Sequence, residues 1–302
     1  MPDGTMPFTF PRVLAWELTR RCPMKCRHCR AMAQDTAFAG ELTTDECRTI
    51  IDSLSMPKRQ DALHSPLTPP PPLIIWTGGE PMLRDDLTAL IRHATSRGIR
   101  SVLAPCGLVV TEGRLRELKE AGVVACSFSI DGPDRGTHDA FRGVKGAWDA
   151  VMTAMEAARA VGLPFQVNTV VRHGTLATLD AIYALILSEG ATRLDLFFLV
   201  PTGRGRDIDS QMPDEAETMD VITWAAGKRT KLTCCPLAGT CIGGRGFAFL
   251  SHTGDLQTCG FVPIPCGNIR DHGLDFNRLV SAARNPLASS GNCRHCRNQP
   301  ME

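Results

Sequence analysis

The chain has 302 residues, 43% of them apolar and 22% charged, with a formal net charge of +1. That length fills one large domain, or a large one with a small appendix, and a balance so near neutrality gives no reason to expect nucleic acid or a membrane as partner. Uncharged apolar stretches such as 196–200 are far too short to span a bilayer, and residues 1–11 lack the basic-then-apolar order of a secretory signal, so a cytoplasmic protein is expected.

In chain order, an apolar strand over 13–18 runs into Cys22-Pro23-Met24-Lys25-Cys26-Arg27-His28-Cys29. Three thiols at C-x3-C-x2-C spacing can hold one inorganic cluster and leave its fourth metal without a protein ligand, because four-iron clusters ordinarily take four thiolates. Structural zinc wants a closed set of four, and His28, lying between two cysteines of the same turn, is poorly placed to complete it. An iron–sulfur cluster, zinc and untied core thiols are the readings open at this spacing. Thirteen cysteines in all, ten of them in two groups toward the ends, argue for metal over a secreted disulfide framework. The other three, Cys47, Cys106 and Cys126, lie in apolar surroundings, and Cys47, on a helix face, reads as buried, inert packing.

Thr43-x-x-Glu46 has the form of a capping box, and Cys47, Ile50, Ile51 and Leu54 follow at helical spacing, predicting a first helix. Residues 58–72 end in four consecutive prolines and cannot continue it. A short apolar strand at 73–77 leads to Gly78-Gly79-Glu80-Pro81 and a helix carrying Leu87, Leu90, Ile91 and Ala94 that stops near Gly98. The alternation repeats with strands at 101–105, 123–129, 165–171 and 194–200 and helices at 111–121, 147–161, 176–189 and 214–226. Apolar strands alternating with amphipathic helices predict an α/β fold with a parallel sheet covered by helices. Six strand–helix units, against the eight of a closed barrel, predict an open partial barrel. Its ligand site would lie at the carboxyl ends of the strands, gathering the cysteine loop, Gly78-Gly79-Glu80, Ser129-Ile130-Asp131, Asn168 and Pro201-Thr202-Gly203-Arg204-Gly205. Past Gly227 the texture turns Gly- and Cys-rich, with a hairpin over 247–251 and 255–258. The expected organisation is an N-terminal segment 1–11, the partial barrel 12–227 and a small Cys-rich extension 228–302.

The cysteine triad after the first strand, the Gly-Gly-Glu-Pro turn after the second and the six α/β units together resemble the radical S-adenosylmethionine (SAM) superfamily. The resemblance implies that Cys22, Cys26 and Cys29 ligate three irons of a catalytic four-iron cluster whose fourth iron is chelated by SAM. It further implies that Gly78, Gly79, Glu80, Ser129, Asp131, Arg142 and Asn168 contact SAM, and that His28 is a stacking or spacing residue. Away from that context, Gly-Gly-Glu-Pro is an ordinary helix-capping turn, and a strand-end Ser or Asp an ordinary cap. The C-terminal run Cys235, Cys241, Gly254 and Cys259 resembles the opening of the SPASM and twitch extensions, and Cys293-x2-Cys296 the start of their closing motif. One auxiliary iron–sulfur cluster is therefore expected, with metal ligands among Cys235, Cys241, Cys259, Cys266, Cys293 and Cys296. The chain ends at Glu302, where relatives continue with further cysteines, so the extension looks truncated.

Within the superfamily, Ala15-Trp16-Glu17-Leu18-Thr19-Arg20, Ser129-Ile130-Asp131-Gly132-Pro133, His138-Asp139-Ala140-Phe141-Arg142-Gly143, Leu199 to Gly205 and Phe249-Leu250-Ser251-His252-Thr253-Gly254 resemble the heme-biosynthesis branch. That branch includes heme d1 enzymes and, above all, the heme synthases that oxidatively decarboxylate two propionates of iron-coproporphyrin. The resemblance implies an iron-porphyrin as small-molecule substrate, an electron donor such as flavodoxin or ferredoxin, and arginines for the propionates, with Arg204, Arg206 and Arg245 as candidates. The competing expectations are a peptide- or protein-modifying maturase and an inactive binding protein stabilised by zinc or an iron–sulfur cluster.

Overall fold

The computed structural model describes residues 6–54, 71–237 and 241–285. Its elements in order are β1 (Met6–Pro7), β2 (Val13–Glu17), α1 (Thr44–Leu54), β3 (Leu73–Thr77), α2 (Leu87–Ser96), β4 (Ser101–Leu103), α3 (Glu112–Ala121), β5 (Val123–Ser129), α4 (Arg135–Arg142) and α5 (Ala147–Ala160). They continue with β6 (Phe165–Val171), α6 (Leu176–Ser188), β7 (Leu194–Phe198), α7 (Glu215–Ala225), β8 (Thr230–Thr233), β9 (Phe247–Leu250), β10 (Asp255–Cys259), β11 (Val262–Asn268), α8 (Phe276–Ala282) and β12 (Arg284–Asn285).

Ten strands make one sheet in the order β11-β10-β9-β2-β3-β4-β5-β6-β7-β8, parallel from β9 to β8 and antiparallel only through β10 and β11. The expected α/β partial barrel and its six strand–helix units are present. Helices start where the sequence supplies caps. Thr43 Oγ accepts from Glu46 N at 3.2 Å while the Glu46 carboxylate accepts from Thr43 N at 2.8 Å, closing the first capping box, and Asp214 with Glu217 closes another at α7. Strand β4 stops at Leu103, two residues before Pro105, which has no N–H for the ladder.

Four elements, α4, β8, β1 and β12, have no sequence signal of their own. Helix α4 is short and polar, burying only His138 and Phe141, and rests on the Asp134 side-chain cap and a left-handed Gly143 at its end. Strand β8 is a polar edge strand held by its ladder to β7. Strands β1 and β12 are two residues each and pair only with one another. The predicted hairpin is β9–β10, and β9 also lies parallel to β2 with Val13 opposite Phe247. The sheet thus continues, through β8 at one end and β9 at the other, into the residues after 228.

Alternation gives the sheet two unlike faces. Leu14, Trp16, Ile74, Trp76, Phe128 and Val167 are fully buried under the helices, where the Trp16 and Trp76 rings stack at 5.5 Å. The opposite face carries Glu17 beside Thr77, Ser127 beside Gln166, and Asn168 beside both Ser129 and Asp195. This face curls inward. Phe197 on β7 and Phe261 in the β10–β11 turn come from opposite halves of the sheet, yet their rings stand 6.4 Å apart.

Candidate active site

The cysteine loop leaves β2 at Glu17, whose carboxylate is fully buried, accepting from Arg20 Nε at 2.9 Å and Arg30 Nη1 at 2.8 Å and standing 2.9 Å from His252 Nδ1. Burial pushes this carboxyl up, but Arg30, His252 and Arg20 together outweigh it and hold it at about 2. Arg20 and Arg30 bracket the three cysteines, so one carboxylate ties both ends of the thiol loop to the strand. Arg30 also lies 4.2 Å from the Phe249 ring centroid on β9.

Cys22, Cys26 and Cys29 pack with Met24, Ala31, Ala33 and Ala147 into a small apolar nest. Cys22 N donates to Gln34 O at 3.0 Å, and Cys22 Sγ accepts from Met24 N at 3.4 Å. Burial pushes the Cys26 thiol up, against the Arg142 guanidinium whose Nη1 is 3.8 Å from its sulfur. Among the described residues no three His, Cys, Asp or Glu side chains converge on one ion position. The three thiols share one nest, where Cys29 and Cys22 both act to raise the Cys26 thiol, and soft thiolates gathered in apolar surroundings suit the irons of a cluster.

The Gly78-Gly79-Glu80 turn lies against the start of this loop. Gly79 N donates to Thr19 O and Glu80 N to Arg21 O, both at 2.7 Å. A Cβ on Gly78 would stand 2.3 Å from Thr19 O and one on Gly79 2.3 Å from Arg21 O, so both positions need glycine for the approach of two backbones. Glu80 is fully buried, accepting from Met82 N at 2.9 Å and from Cys106 N at 2.5 Å. Burial raises its carboxyl, against those bonds. Cys106, placed by the sequence only in apolar surroundings, sits at the edge of the cysteine nest, where its thiol lowers that of Cys22. Cys47 and Cys126 are fully buried, their thiols pushed up to about 12 by that burial.

Asp131 and Arg142 form a buried ion pair at 2.5 Å, and the other Asp131 oxygen accepts from Val170 N at 2.8 Å. Burial would raise the Asp131 carboxyl, but Arg142 and His28 lower it. The His28 ring stacks on Phe141 at 4.7 Å and 9° between planes, and burial together with Arg142 pushes its imidazole down to about 4. Asn168 Nδ2 donates to Ser127 Oγ at 2.9 Å; Ser129, opposite Asn168 in the sheet, is half-buried at its carboxyl edge.

Two of the arginines expected to meet propionates are engaged elsewhere. Arg204 donates from Nε to Cys26 O at 2.9 Å and from Nη1 to Ala33 O at 2.8 Å, and Arg245 donates to Cys241 O at 2.7 Å. The sequence showed a guanidinium and not its acceptors, which are main-chain carbonyls. Arg206 is exposed. Of the C-terminal cysteines, Cys241 and Cys259 lie close enough for Cys241 to raise the Cys259 thiol, after burial, with Arg30 opposing. Cys235 and Cys266 pack against the main core, the latter pushed up to about 11 by burial. Cys293 and Cys296 lie outside the described residues.

The radical SAM superfamily model matches residues 16–186, more than half of the chain. The chain belongs to the radical SAM superfamily. It is 36% identical to the AdoMet-dependent heme synthase of Oleidesulfovibrio alaskensis over 94% of this chain and 80% of that one. It is 32% identical to the pre-heme d1 synthase of Dinoroseobacter shibae over 68% of this chain and 48% of that protein. The solved structure of native anSMEcpe with bound AdoMet and Kp18Cys peptide superposes with a TM-score of 0.68 over 97% of this chain and 92% of that one; at 16% identity the likeness is one of fold.

Membership makes this a radical SAM enzyme and implies a four-iron cluster, SAM and a reductant. Of the residues expected at the site from sequence, the triad, the Gly-Gly-Glu turn, Asp131 and Arg142 meet within the structure, while Ser129 and Asn168 lie along the adjoining sheet face. Sequence reasoning passed over Glu17, Arg30 and His252 as a unit and Cys106 as a neighbour of the triad. A charged residue closing an apolar strand was the available signal for Glu17, and a strand-end position at the carboxyl edge was the signal for Cys106.

Proposed function

We propose that the chain is a radical SAM enzyme of heme synthase type, acting on an iron-porphyrin by oxidative decarboxylation of propionate side chains. The observation that carries this reading is the thiol nest of Cys22, Cys26 and Cys29 at the carboxyl end of β2, closed by the Gly78-Gly79-Glu80 turn. Its heme side is supported by the 36% identity over nearly the whole chain to a protein named as an AdoMet-dependent heme synthase.

Held by Cys22, Cys26 and Cys29, a four-iron cluster with SAM would supply a radical able to take hydrogen from a propionate β-carbon; loss of carbon dioxide, with one further electron passing to an acceptor such as the auxiliary cluster, would leave a vinyl group. The protein's task is placement and exclusion of water. Cys22, Cys26 and Cys29 are the cluster ligands in this reading, with Arg142, held by Asp131, against Cys26. Gly78, Gly79, Glu80, Ser129 and Asn168 line the SAM side; Asp131 and Arg142, whose polar groups face inward, support the site through Cys26. His28, stacked flat on Phe141, keeps its ring neutral and fills the space between loop and helix. An auxiliary iron–sulfur cluster belongs to the C-terminal cysteines, with Cys235, Cys241 and Cys259 as three of its ligands and the fourth drawn from Cys266, Cys293 and Cys296. An acidic one-electron carrier such as flavodoxin or ferredoxin is the donor, and exposed Arg206 is a remaining partner for a propionate.

The test is anaerobic reconstitution with iron and sulfide, then incubation with SAM, a strong reductant and iron-coproporphyrin. The expected result is 5′-deoxyadenosine together with a porphyrin lighter by two formic-acid equivalents, and loss of both in Cys26→Ala. Deoxyadenosine without change in the porphyrin mass would overturn the substrate; equal deoxyadenosine from Cys26→Ala would overturn the site.

A further inference from the structure

The cysteine loop has little of its own to hold its shape. Within residues 22–33 the main-chain bonds are Cys29 N to Cys26 O at 3.2 Å and Met32 N to Cys29 O at 3.3 Å, and Met32 sits at a strained φ of 50°. Donors must come from outside, and most come from the segment after β7. Arg204 N donates to Cys29 O at 3.0 Å, Arg204 Nε to Cys26 O at 2.9 Å and Arg204 Nη1 to Ala33 O at 2.8 Å.

The approach is as close as backbones allow. Gly203, in the left-handed region at φ +56°, would place a Cβ 2.4 Å from Arg30 O and 2.5 Å from Cys29 O, and Gly205 would place one 2.9 Å from Val200 O. The remaining nitrogen of the guanidinium, Nη2, is buried without an acceptor among the described residues. A planar fork fixed by two carbonyls tolerates that cost; a lysine, with one compact ammonium, could not span both acceptors.

We infer that the strap Thr202-Gly203-Arg204-Gly205 is the clamp of the cysteine loop and that Arg204 is a positioning residue, setting the separation and orientation of Cys26 and Cys29 through their carbonyls. This rests on the reading of the loop as the cluster site. It assigns the arginine of this strap to the protein's own loop and takes it out of the set available to a substrate carboxylate. It also makes β7 responsible for the shape of the loop after β2, joining two distant strand ends by one side chain.

The experiment compares the full chain with Arg204→Met and Arg204→Lys, each loaded anaerobically with iron and sulfide. Two measurements are made on the loaded proteins, iron release to a ferrous chelator and the electron paramagnetic resonance signal of the reduced protein with and without SAM. Removing the fork leaves Ala33 O without its guanidinium donor and Cys26 O with Cys29 N alone, so Arg204→Met is expected to release iron at least about tenfold faster and to show an altered signal on adding SAM. Arg204→Lys should fall between it and wild type. Circular dichroism of the metal-free variants should match wild type, since the clamp lies outside the helical layer. Loaded variants with wild-type release rates and an unchanged signal would overturn the inference alone; a wild type that takes up no iron at Cys26 would overturn the reading beneath it.

Discussion

Replacing Glu17 by glutamine tests whether one buried carboxylate anchors the thiol loop. The side chain is fully buried and meets Arg20, Arg30 and His252 within 3 Å, so Glu17→Gln keeps the shape and removes the charge that those partners face. The carboxyl is held at about 2 in the folded protein, against an ordinary 4.5. Its folded value is depressed, so its contribution is fully present above about pH 4.5 and is lost as pH falls toward 2. That displacement corresponds to on the order of 3 kcal/mol of folding stability at neutral pH, comparable to the roughly 3–5 kcal/mol that follows loss of one partner of a buried ion pair. Urea unfolding of the metal-free protein, wild type against Glu17→Gln, measures it at a series of pH values. The expected gap is about 3 kcal/mol at pH 7, narrowing as the buffer is taken below about pH 4.5. Arg30 follows Cys29 directly, so the variant should also take up less iron. A gap near zero at pH 7, or one that stays constant down to pH 3, would refute the reasoning.

Gly79→Ala forces a Cβ to within 2.3 Å of Arg21 O; 5′-deoxyadenosine formation is expected to fall at least about a hundredfold, as misplacement of a site by an ångström does, with helix content by circular dichroism unchanged. Trp76→Ala removes half of the buried Trp16–Trp76 stack and should cost about 3–5 kcal/mol in chemical denaturation, with no direct effect on the thiol nest on the other face of the sheet.

The alternation of strands and helices was legible because each strand is a continuous apolar run and the helices bury an apolar face, so the pattern survives without knowledge of neighbours. The capping box at Thr43 and Glu46 was legible for the same reason, since both its bonds are local. Helix α4 was not: with only His138 and Phe141 buried, its periodicity is too thin to read. Strand β8 was hidden because its polar side chains say nothing of the ladder that holds it to β7. Gly78 and Gly79 were marked from sequence as contacts of SAM; that they also lie against the backbone of Thr19 and Arg21 was not legible, because those neighbours come from another strand end.

The amino-acid sequence by itself determined the class of fold, the three thiols at one strand end and the superfamily to which they belong, because spacing of cysteines and of apolar residues is information carried along the chain. Tertiary structure alone decided that Cys106 adjoins Cys22, that Glu17 binds Arg30 and His252, and that Arg204 turns toward Cys26 and Ala33 rather than toward a ligand. Peptide carbonyls are the same at every residue, so an arginine's choice among them leaves no trace in the order of side chains and appears only when distant strand ends are brought together.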